Sequence, residues 1–522
     1  MTSFDAMVAF ATPPGRSALA VCRVSGPESN QVVSQLFVPA SSRFPQVEAM
    51  APYSLAYGTW YRSKDRQTAI DEVVLACFRA PHSYTGEDSF EISCHGSPVI
   101  KAAILRSLVG AGARLAEPGE FSKKAFLNGK MDLAEAEAVM ELIEAKGERA
   151  SSEALSHLQG QYGNKLSRIQ SAIYHILADL EVFLEYGEED LGVPNNPADL
   201  AQLHAEDHAK REDLAVLAAE SLDDLRTLTK SKKAAQYVFD GIKVVLTGKT
   251  NAGKSSLLNA LLEEDRAIVS DQAGTTRDLI TAMTDFEGIP VCLTDTAGLR
   301  LFIEGSESSE PSAVPKSPTG SEPSKSLDRV ESLDRLESLD RLDPLDPLEL
   351  EGIRRAKESL TTADLILVLL SSADPAEIKA FQGLTQDLPC PTLYLVSKQD
   401  LPGQADLLQA LQKANPSLDI QGISARNPKD LAALRHRILA QCEALPTGEE
   451  AGLLVHTERH LEALQGAIEA LDQAKSGLEN GLSWDLISAL LRSALDSLAS
   501  ITGENVSLEL IDQIFSNFCV GK

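Results

Sequence analysis

Eight consecutive residues, Gly248-Lys249-Thr250-Asn251-Ala252-Gly253-Lys254-Ser255, carry the sharpest chemical signal in the chain. A short apolar β-type stretch (residues 242–246) precedes them and a helical stretch (residues 256–262) follows. In such a strand, G-x-x-x-x-G-K-S loop and helix, backbone N–H groups and the helix N-terminus attract phosphate oxygens. Lys254 adds a point charge and Ser255 a hydroxyl for Mg²⁺. Asn251, Ala252, Gly253, Lys254, Ser255 and Ser256 are the residues expected to wrap the phosphates. A chance Gly/Lys loop is the plain alternative, but it explains neither the strand before nor the helix after.

Four further segments follow in the order of a guanine-nucleotide protein. Ser270, Asp271, Gln272, Ala273, Gly274, Thr275 and Thr276 lie between this loop and Asp295, where a switch threonine completes the Mg²⁺ shell; Thr276 is the candidate. Asp295-Thr296-Ala297-Gly298 follows an apolar strand and fits the segment that senses the γ-phosphate. Ser397-Lys398-Gln399-Asp400 follows the stretch 392–396, and Asp400 can accept both guanine N–H donors. Ser424-Ala425-Arg426 follows 419–423 and can back that contact. Each match alone is weak; their order and spacing predict GTP binding and hydrolysis. Leu299 stands where Ras-like enzymes place a water-orienting glutamine, so another group must supply that function. Asn251, with backbone oxygens of residues 270–275, can hold a monovalent cation that stabilises transition-state charge. A loop-stabilising amide is the plainer role for Asn251.

These residues need elements to position them. At 522 residues the chain exceeds a single core. Residues 1–122 mix strand-like runs (18–24, 72–78, 90–94) with turn signals and read as an α+β domain. Residues 123–238 are helical by their three- and four-residue apolar spacing. Residues 239–446 alternate strands and helices as a doubly wound α/β P-loop domain does, and 447–522 return to helices. The expected fold class is multidomain α/β and α, with the nucleotide domain inserted into a helical domain whose halves meet. Two separate helical domains remain the alternative.

Residues 302–348 form a low-complexity block, ending in hexads such as Ser332-Leu-Asp-Arg-Leu-Glu. Apolar residues every three positions drift around a 3.6-residue helix and build no lasting face, and Pro344 and Pro347 stop helices. An acidic insert is expected there, with a short partner-binding helix as the alternative. No run is long and apolar enough to span a membrane, and no signal-peptide pattern opens the chain. Seven scattered cysteines without C-x-x-C spacing point to a reducing cytoplasm and to no zinc site. A net charge of −28 argues against coating nucleic acid by bulk electrostatics, though not against a local basic patch.

Outside the nucleotide segments, Ala11-Thr12-Pro13-Pro14-Gly15-Arg16, Gly86-Glu87-Asp88 with Cys94-His95-Gly96, Pro118-Gly119-Glu120-Phe121 with residues 125–130, and the closing Phe518-Cys519-Val520-Gly521-Lys522 resemble signatures of one family. The chain resembles the tRNA-modification GTPases of the TrmE type, within the TrmE-Era-EngA-like superfamily, over nearly all its length except 302–348. The resemblance implies a tetrahydrofolate-binding N-terminal domain that forms a homodimer, a helical domain and an inserted G domain. It implies work with an FAD-dependent GidA-type partner, as a heterotetramer, on carbon 5 of the wobble uridine of certain tRNAs. A formyl- or methylene-tetrahydrofolate supplies one carbon. By matching position, Arg23, Glu91, Lys130 and Lys522 would contact folate. Asn251, Ser270, Gln272 and Thr275 would hold potassium, and Ser255 and Thr276 magnesium. The catalytic glutamate of the family precedes a Gly-Ile pair; Gly352-Ile353 points to Glu349, with Glu351 as rival, alongside Lys254.

Two departures stand out. Ser397 replaces the family asparagine before Lys398-x-Asp400, and the 302–348 insert lengthens switch II. Cys519, near a one-carbon donor, is either reactive or structural. A switch GTPase acting as an RNA or ribosome-assembly module is the competing function, but it has no use for the N- and C-terminal signatures.

Overall fold

The computed structural model describes residues 5–41, 44–189, 197–249, 251–263, 280–296, 354–355, 357–372, 374–440 and 453–521. The 302–348 block lies outside them. The chain forms two compact units. One comprises Met1–Ala145, Ser151–Lys232 and Leu453–Lys522; the other comprises Lys146–Ala150 and Lys233–Gly452.

The first unit opens on a seven-stranded sheet in the order β3-β4-β5-β6-β2-β1-β7. The strands are β1 (Met7–Phe10), β2 (Leu19–Ser25), β3 (Phe37–Pro39), β4 (Ser54–Tyr61), β5 (Ala69–Phe78), β6 (Ser89–His95) and β7 (Arg114–Leu115). Alternation decides which face is buried. In β2, Ala20, Cys22 and Val24 are fully buried while Arg23 is only half-buried. The buried face packs against α1 (Ser29–Leu36) and α2 (Pro98–Gly110) through Val32, Val33, Leu36, Ile104 and Leu108. Trp60 Nε1 donates to Ser107 Oγ at 2.9 Å, which satisfies the one polar atom of the largest buried ring.

After α3 (Glu120–Leu127), Asp132 and Glu135 form a capping box that starts α4 (Leu133–Glu144). The sequence reads 150–180 as one helix. The structure breaks it at Gly160, which adopts φ +79, into α5 (Glu148–Leu158) and α6 (Gln161–Glu189). With α7 (Pro197–Lys230), α6 packs against helices from the far end of the chain.

That unit holds a six-stranded sheet, β8 (Ile242–Gly248), β9 (Ile280–Phe286), β10 (Ile289–Asp295), β11 (Leu365–Leu370), β12 (Thr392–Val396) and β13 (Ile420–Gly422), in the order β13-β12-β11-β8-β10-β9. Every pairing is parallel except β9–β10. Parallel strands covered on both faces read as continuous apolar runs, and all of β11 is buried. Its helices are α8 (Lys232–Phe239), α9 (Lys254–Glu263), α10 (Pro375–Thr385), α11 (Gln404–Ala414) and α12 (Pro428–Ala440).

The chain then adds α13 (Glu458–Glu479), α14 (Trp484–Thr502) and α15 (Leu508–Ser516) to the first unit. Leu166, Ile173 and Leu180 of α6, Leu214 and Leu225 of α7, Leu464 and Leu471 of α13, and Leu491 and Leu498 of α14 share one core. Helical sequence from before and after the nucleotide unit thus closes a single hydrophobic interior. The multidomain α/β and α class read from the sequence is the one observed. Among the described residues, no helix is long and apolar enough to cross a membrane.

A buried polar network stitches this bundle. Arg459 of α13 grips Glu137 of α4 through Nε at 3.1 Å and Nη2 at 2.6 Å, and His460 Nε2 lies 2.7 Å from the same carboxylate. Arg459 also donates to the carbonyls of Ser500 and Ile501. Tyr162 stacks between His157 and His460, with ring centroids 5.3 and 5.4 Å away. His157 sits between Glu141, 3.2 Å from Nδ1, and Glu153, 3.6 Å from Nε2. Burial opposes its charge, but the two carboxylates outweigh that and raise the imidazole to about 9.

Candidate functional site

Strand β8 delivers Gly248 to the rim of the sheet, and the loop turns into α9 through Asn251 at φ +63 and Gly253 at φ +96. Positive φ is permissive for Gly253, where an added Cβ would also lie 3.3 Å from Ser397 Oγ. Lys254, 4% exposed, opens the helix. Its ammonium donates to the carbonyls of Gly248 at 2.7 Å and Lys249 at 3.0 Å, which holds it across the loop.

The parallel register of β10 on β8 pairs Asp295 with Leu246 and so brings Asp295 beside α9. Ser255 Oγ donates to Asp295 Oδ2 at 3.1 Å. Asp295 is 2% exposed, and its Oδ1 has no hydrogen-bond partner among the described residues. A buried carboxylate oxygen left open beside a serine hydroxyl fits a hard divalent cation with water in its shell. Thr296 is fixed by its N–H and hydroxyl, both donating to Leu246 O at 3.1 and 2.9 Å.

At the base end, the loop after β12 reaches back to the phosphate loop. Ser397 Oγ donates to Ala252 O at 2.5 Å, and Lys398 Nζ donates to Asn251 O at 3.0 Å. Ser397 therefore ties the two loops together, a contact that its identity alone did not reveal. Asp400 Oδ1 accepts from Ser424 Oγ at 2.8 Å, and Arg426 lies 3.7 Å from its other oxygen. The Ser424 bond, with Arg426 adding to it, holds the exposed Asp400 carboxyl below the usual range. Ser424 is itself fixed by its N–H donating to Asp430 at 2.8 Å, and Ala425 lies between these contacts. An ionised carboxylate has about four lone-pair sites, so Asp400 can accept N–H donors beyond its Ser424 bond.

The structure thus brings together Asn251, Ala252, Gly253, Lys254, Ser255, Ser256, Asp295, Thr296, Ser397, Lys398, Asp400, Ser424, Ala425 and Arg426 around one rim. Ser270, Asp271, Gln272, Ala273, Gly274, Thr275, Thr276, Ala297, Gly298, Leu299, Glu349 and Glu351 lie outside the described residues, as do Thr250 and Lys522.

A second cluster occupies the first unit. Arg23 of β2 faces Glu91 of β6 directly across the sheet, bonded from Nε and Nη2 at 3.1 and 2.8 Å. Its Nη1 donates to Gly521 O at 3.5 Å, and its guanidinium carbon lies 5.1 Å from the Tyr84 ring and 5.5 Å from Phe121. The C-terminal segment is laid against this cluster by a bridge between Pro118 and Val520. Gly521 adopts φ +96, and a Cβ there would stand 2.4 Å from Phe10 O, so only glycine passes. Lys130 donates to Pro81 O at 3.0 Å, in the loop that also carries Tyr84. Ser25, Thr85 and Ser89 anchor that loop through buried hydroxyl contacts of 2.6 and 2.7 Å. Cys519 is exposed. Tyr84 was missed from sequence, because nothing local marks an aromatic that packs under an arginine of another strand, and Phe121 stood out only within the Pro118–Phe121 signature.

Family models match the chain twice: "GTP-binding protein TrmE N-terminus" over residues 6–130 and "MnmE helical domain" over residues 133–519. The tRNA modification GTPase MnmE of Salinibacter ruber is 35% identical, with 100% of this chain and 100% of that protein covered. The chain belongs to the MnmE family of tRNA modification GTPases. Its counterpart from Levilactobacillus brevis is 33% identical over 100% of this chain and 99% of its own length. Among solved structures, Aquifex aeolicus Era bound to GDP·AlF4⁻ is 26% identical over 44% of this chain and 65% of that one, at a TM-score of 0.24. The MnmE helical-domain match begins before the phosphate loop and ends after it. The Glu137–Arg459 contact joins residues from those two ends of the matched span.

Proposed function

We propose that this chain hydrolyses GTP to drive modification of carbon 5 of the wobble uridine of certain tRNAs, with an FAD-dependent GidA-type partner and a one-carbon tetrahydrofolate. The observation that carries the reading is the presence, in one chain, of a phosphate-loop site and of an arginine–carboxylate cluster closed by the C-terminal segment. Full-length likeness to proteins named tRNA modification GTPase MnmE supports it. The reading places the enzyme in the cytoplasm and assigns residues 1–122 to folate binding, 239–446 to the G domain and the flanking 123–238 and 447–522 to one helical domain.

In this reading Lys254 and the α9 N-terminus neutralise the β- and γ-phosphates, and Asp400 selects guanine. Ser255 and Asp295, with Thr276, would hold magnesium, which would offset the charge developing on the phosphates when bound. Asn251, Ser270, Gln272 and Thr275 would hold potassium, which supplies the cationic stabilisation that an arginine finger gives elsewhere. Glu349 would orient the attacking water in place of the glutamine that Leu299 cannot replace. Arg23, Glu91, Lys130 and Lys522 would bind the folate, with Tyr84 and Phe121 as flat apolar walls beside the guanidinium.

A homodimer through the N-terminal sheet is supported by its outer face. Leu55 and Tyr57 of β4 and Val74 of β5 are 66%, 53% and 37% exposed, and Tyr57 pairs with Val74 across the strands. Large apolar side chains side by side on an open sheet face fit a second copy.

Isotope tracing tests the whole reading. Label from the one-carbon group of folate is expected in the wobble uridine when the purified partner and GTP are present; no label in tRNA would exclude this role. Potassium tests the nucleotide half. Turnover is expected to be faster in potassium than in sodium and to collapse in Asn251→Ala; equal rates in the two salts would remove the cation assignment.

A further inference from the structure

The segment that follows β11 lies beside the phosphate loop, because β11 pairs with β8 up to Leu369 against Gly248. Glu377, in the first turn of α10, is there with its side chain fully buried. One carboxylate oxygen accepts from Ser372 Oγ at 2.6 Å, and the other has no hydrogen-bond partner among the described residues. A carboxylate is kept in such a place only where a cation and hydrogen bonds offset its desolvation. The cation at hand is Lys249, whose ammonium lies 3.9 Å from the Glu377 oxygen that Ser372 also contacts and 3.8 Å from Asp374. The α10 N-terminus adds a favourable dipole.

Lys249 belongs to the phosphate loop, and its backbone works for the lysine that follows. Its carbonyl accepts from Lys254 Nζ at 3.0 Å and from Ala252 N–H at 3.2 Å. Its side chain is held at one end by buried acid while its carbonyl helps aim the lysine at the phosphates. We propose that Glu377 is a positioning residue for GTP binding, acting through Lys249 to fix the loop that presents Lys254. Glu377 does not touch the nucleotide. This assignment rests on residues 248–255 being the phosphate site.

The test is a double-mutant cycle read by titration with a fluorescent GTP analogue. E377Q keeps volume and can keep the Ser372 contact, but it loses the charge that holds Lys249. A roughly tenfold rise in Kd is expected, as for loss of one partly buried ion pair. K249M, which leaves the buried carboxylate without its cation, is expected to give a similar rise. If the two residues act as one device, E377Q/K249M binds no more weakly than the poorer single variant. Losses that multiply in the double variant, or a Kd in E377Q within about twofold of wild type, overturn the proposal. Should E377Q not fold, K249M alone decides: its side chain is partly solvated, and an unchanged Kd overturns the assignment. Failure of the underlying reading is distinguishable, since wild type itself would then bind no analogue.

Discussion

Lys254→Ala is expected to lower the GTP turnover number by roughly 10²–10³-fold, the range for removing one preorganised charge donor from an active site. Lys254 is 4% exposed and its ammonium is bonded to two loop carbonyls, so it is held in place and needs little reorganisation when charge develops on the γ-phosphate. Affinity for GTP should fall less than turnover, because the backbone N–H groups and the α9 dipole remain. Alanine is the best helix former, so α9 should persist and circular dichroism should be unchanged. Phosphate release measured at saturating nucleotide gives the comparison. With the partner and labelled folate, the same variant should leave wobble uridine unlabelled. Turnover within about tenfold of wild type would mean that Lys254 is not the phosphate-facing cation.

The second large effect concerns the helical bundle. Glu137→Ala is expected to cost about 3–5 kcal/mol, since it strands a part-buried guanidinium and a buried imidazole rather than removing a surface pair. Burial opposes the Glu137 charge, but His460 and then Arg459 outweigh it and hold the carboxyl below its ordinary value. A depressed carboxyl contributes stability above its unfolded value, and that contribution fades as pH falls through the folded value. His157 has the opposite sign. Raised to about 9, it contributes fully below its unfolded value near 6.5, and the contribution fades as pH rises through about 9. Hydrogen exchange on α4 and α13 should report both, with α9 amides as the internal reference. A change below about 1 kcal/mol in Glu137→Ala would show that Arg459 finds other partners without loss.

How much of this was legible in the sequence depends on how far apart the partners lie. The stretch 392–396 was read as a strand and is β12, because a continuous apolar run bounded by turns carries its own signal. Gly481 and Gly503 adopt positive φ at helix ends, where glycine is the residue that a helix stop favours. Strand β4 was not seen, since Leu55 and Tyr57 face outward and blur the alternation that normally marks a half-buried strand. The break at Gly160 was missed because the apolar spacing continues through it, and a lone glycine is also tolerated inside helices.

By itself, the sequence determined the phosphate loop and its neighbours. A G-x-x-x-x-G-K-S loop between strand and helix is a local device, with its chemistry contained in eight neighbouring residues and their backbone. Tertiary structure alone decided what surrounds that loop and what joins the rest. The Ser397 tie to Ala252 spans 145 positions, and the Glu137 grip on Arg459 spans 322. A buried charge reveals its partner only after folding has removed water from both, so neither pair has a sequence signature. For Glu377 the same physics applies at shorter range. Read as sequence it is an acid at a helix start; only its side chain, shut away from solvent beside Lys249, links it to the proposed phosphate site.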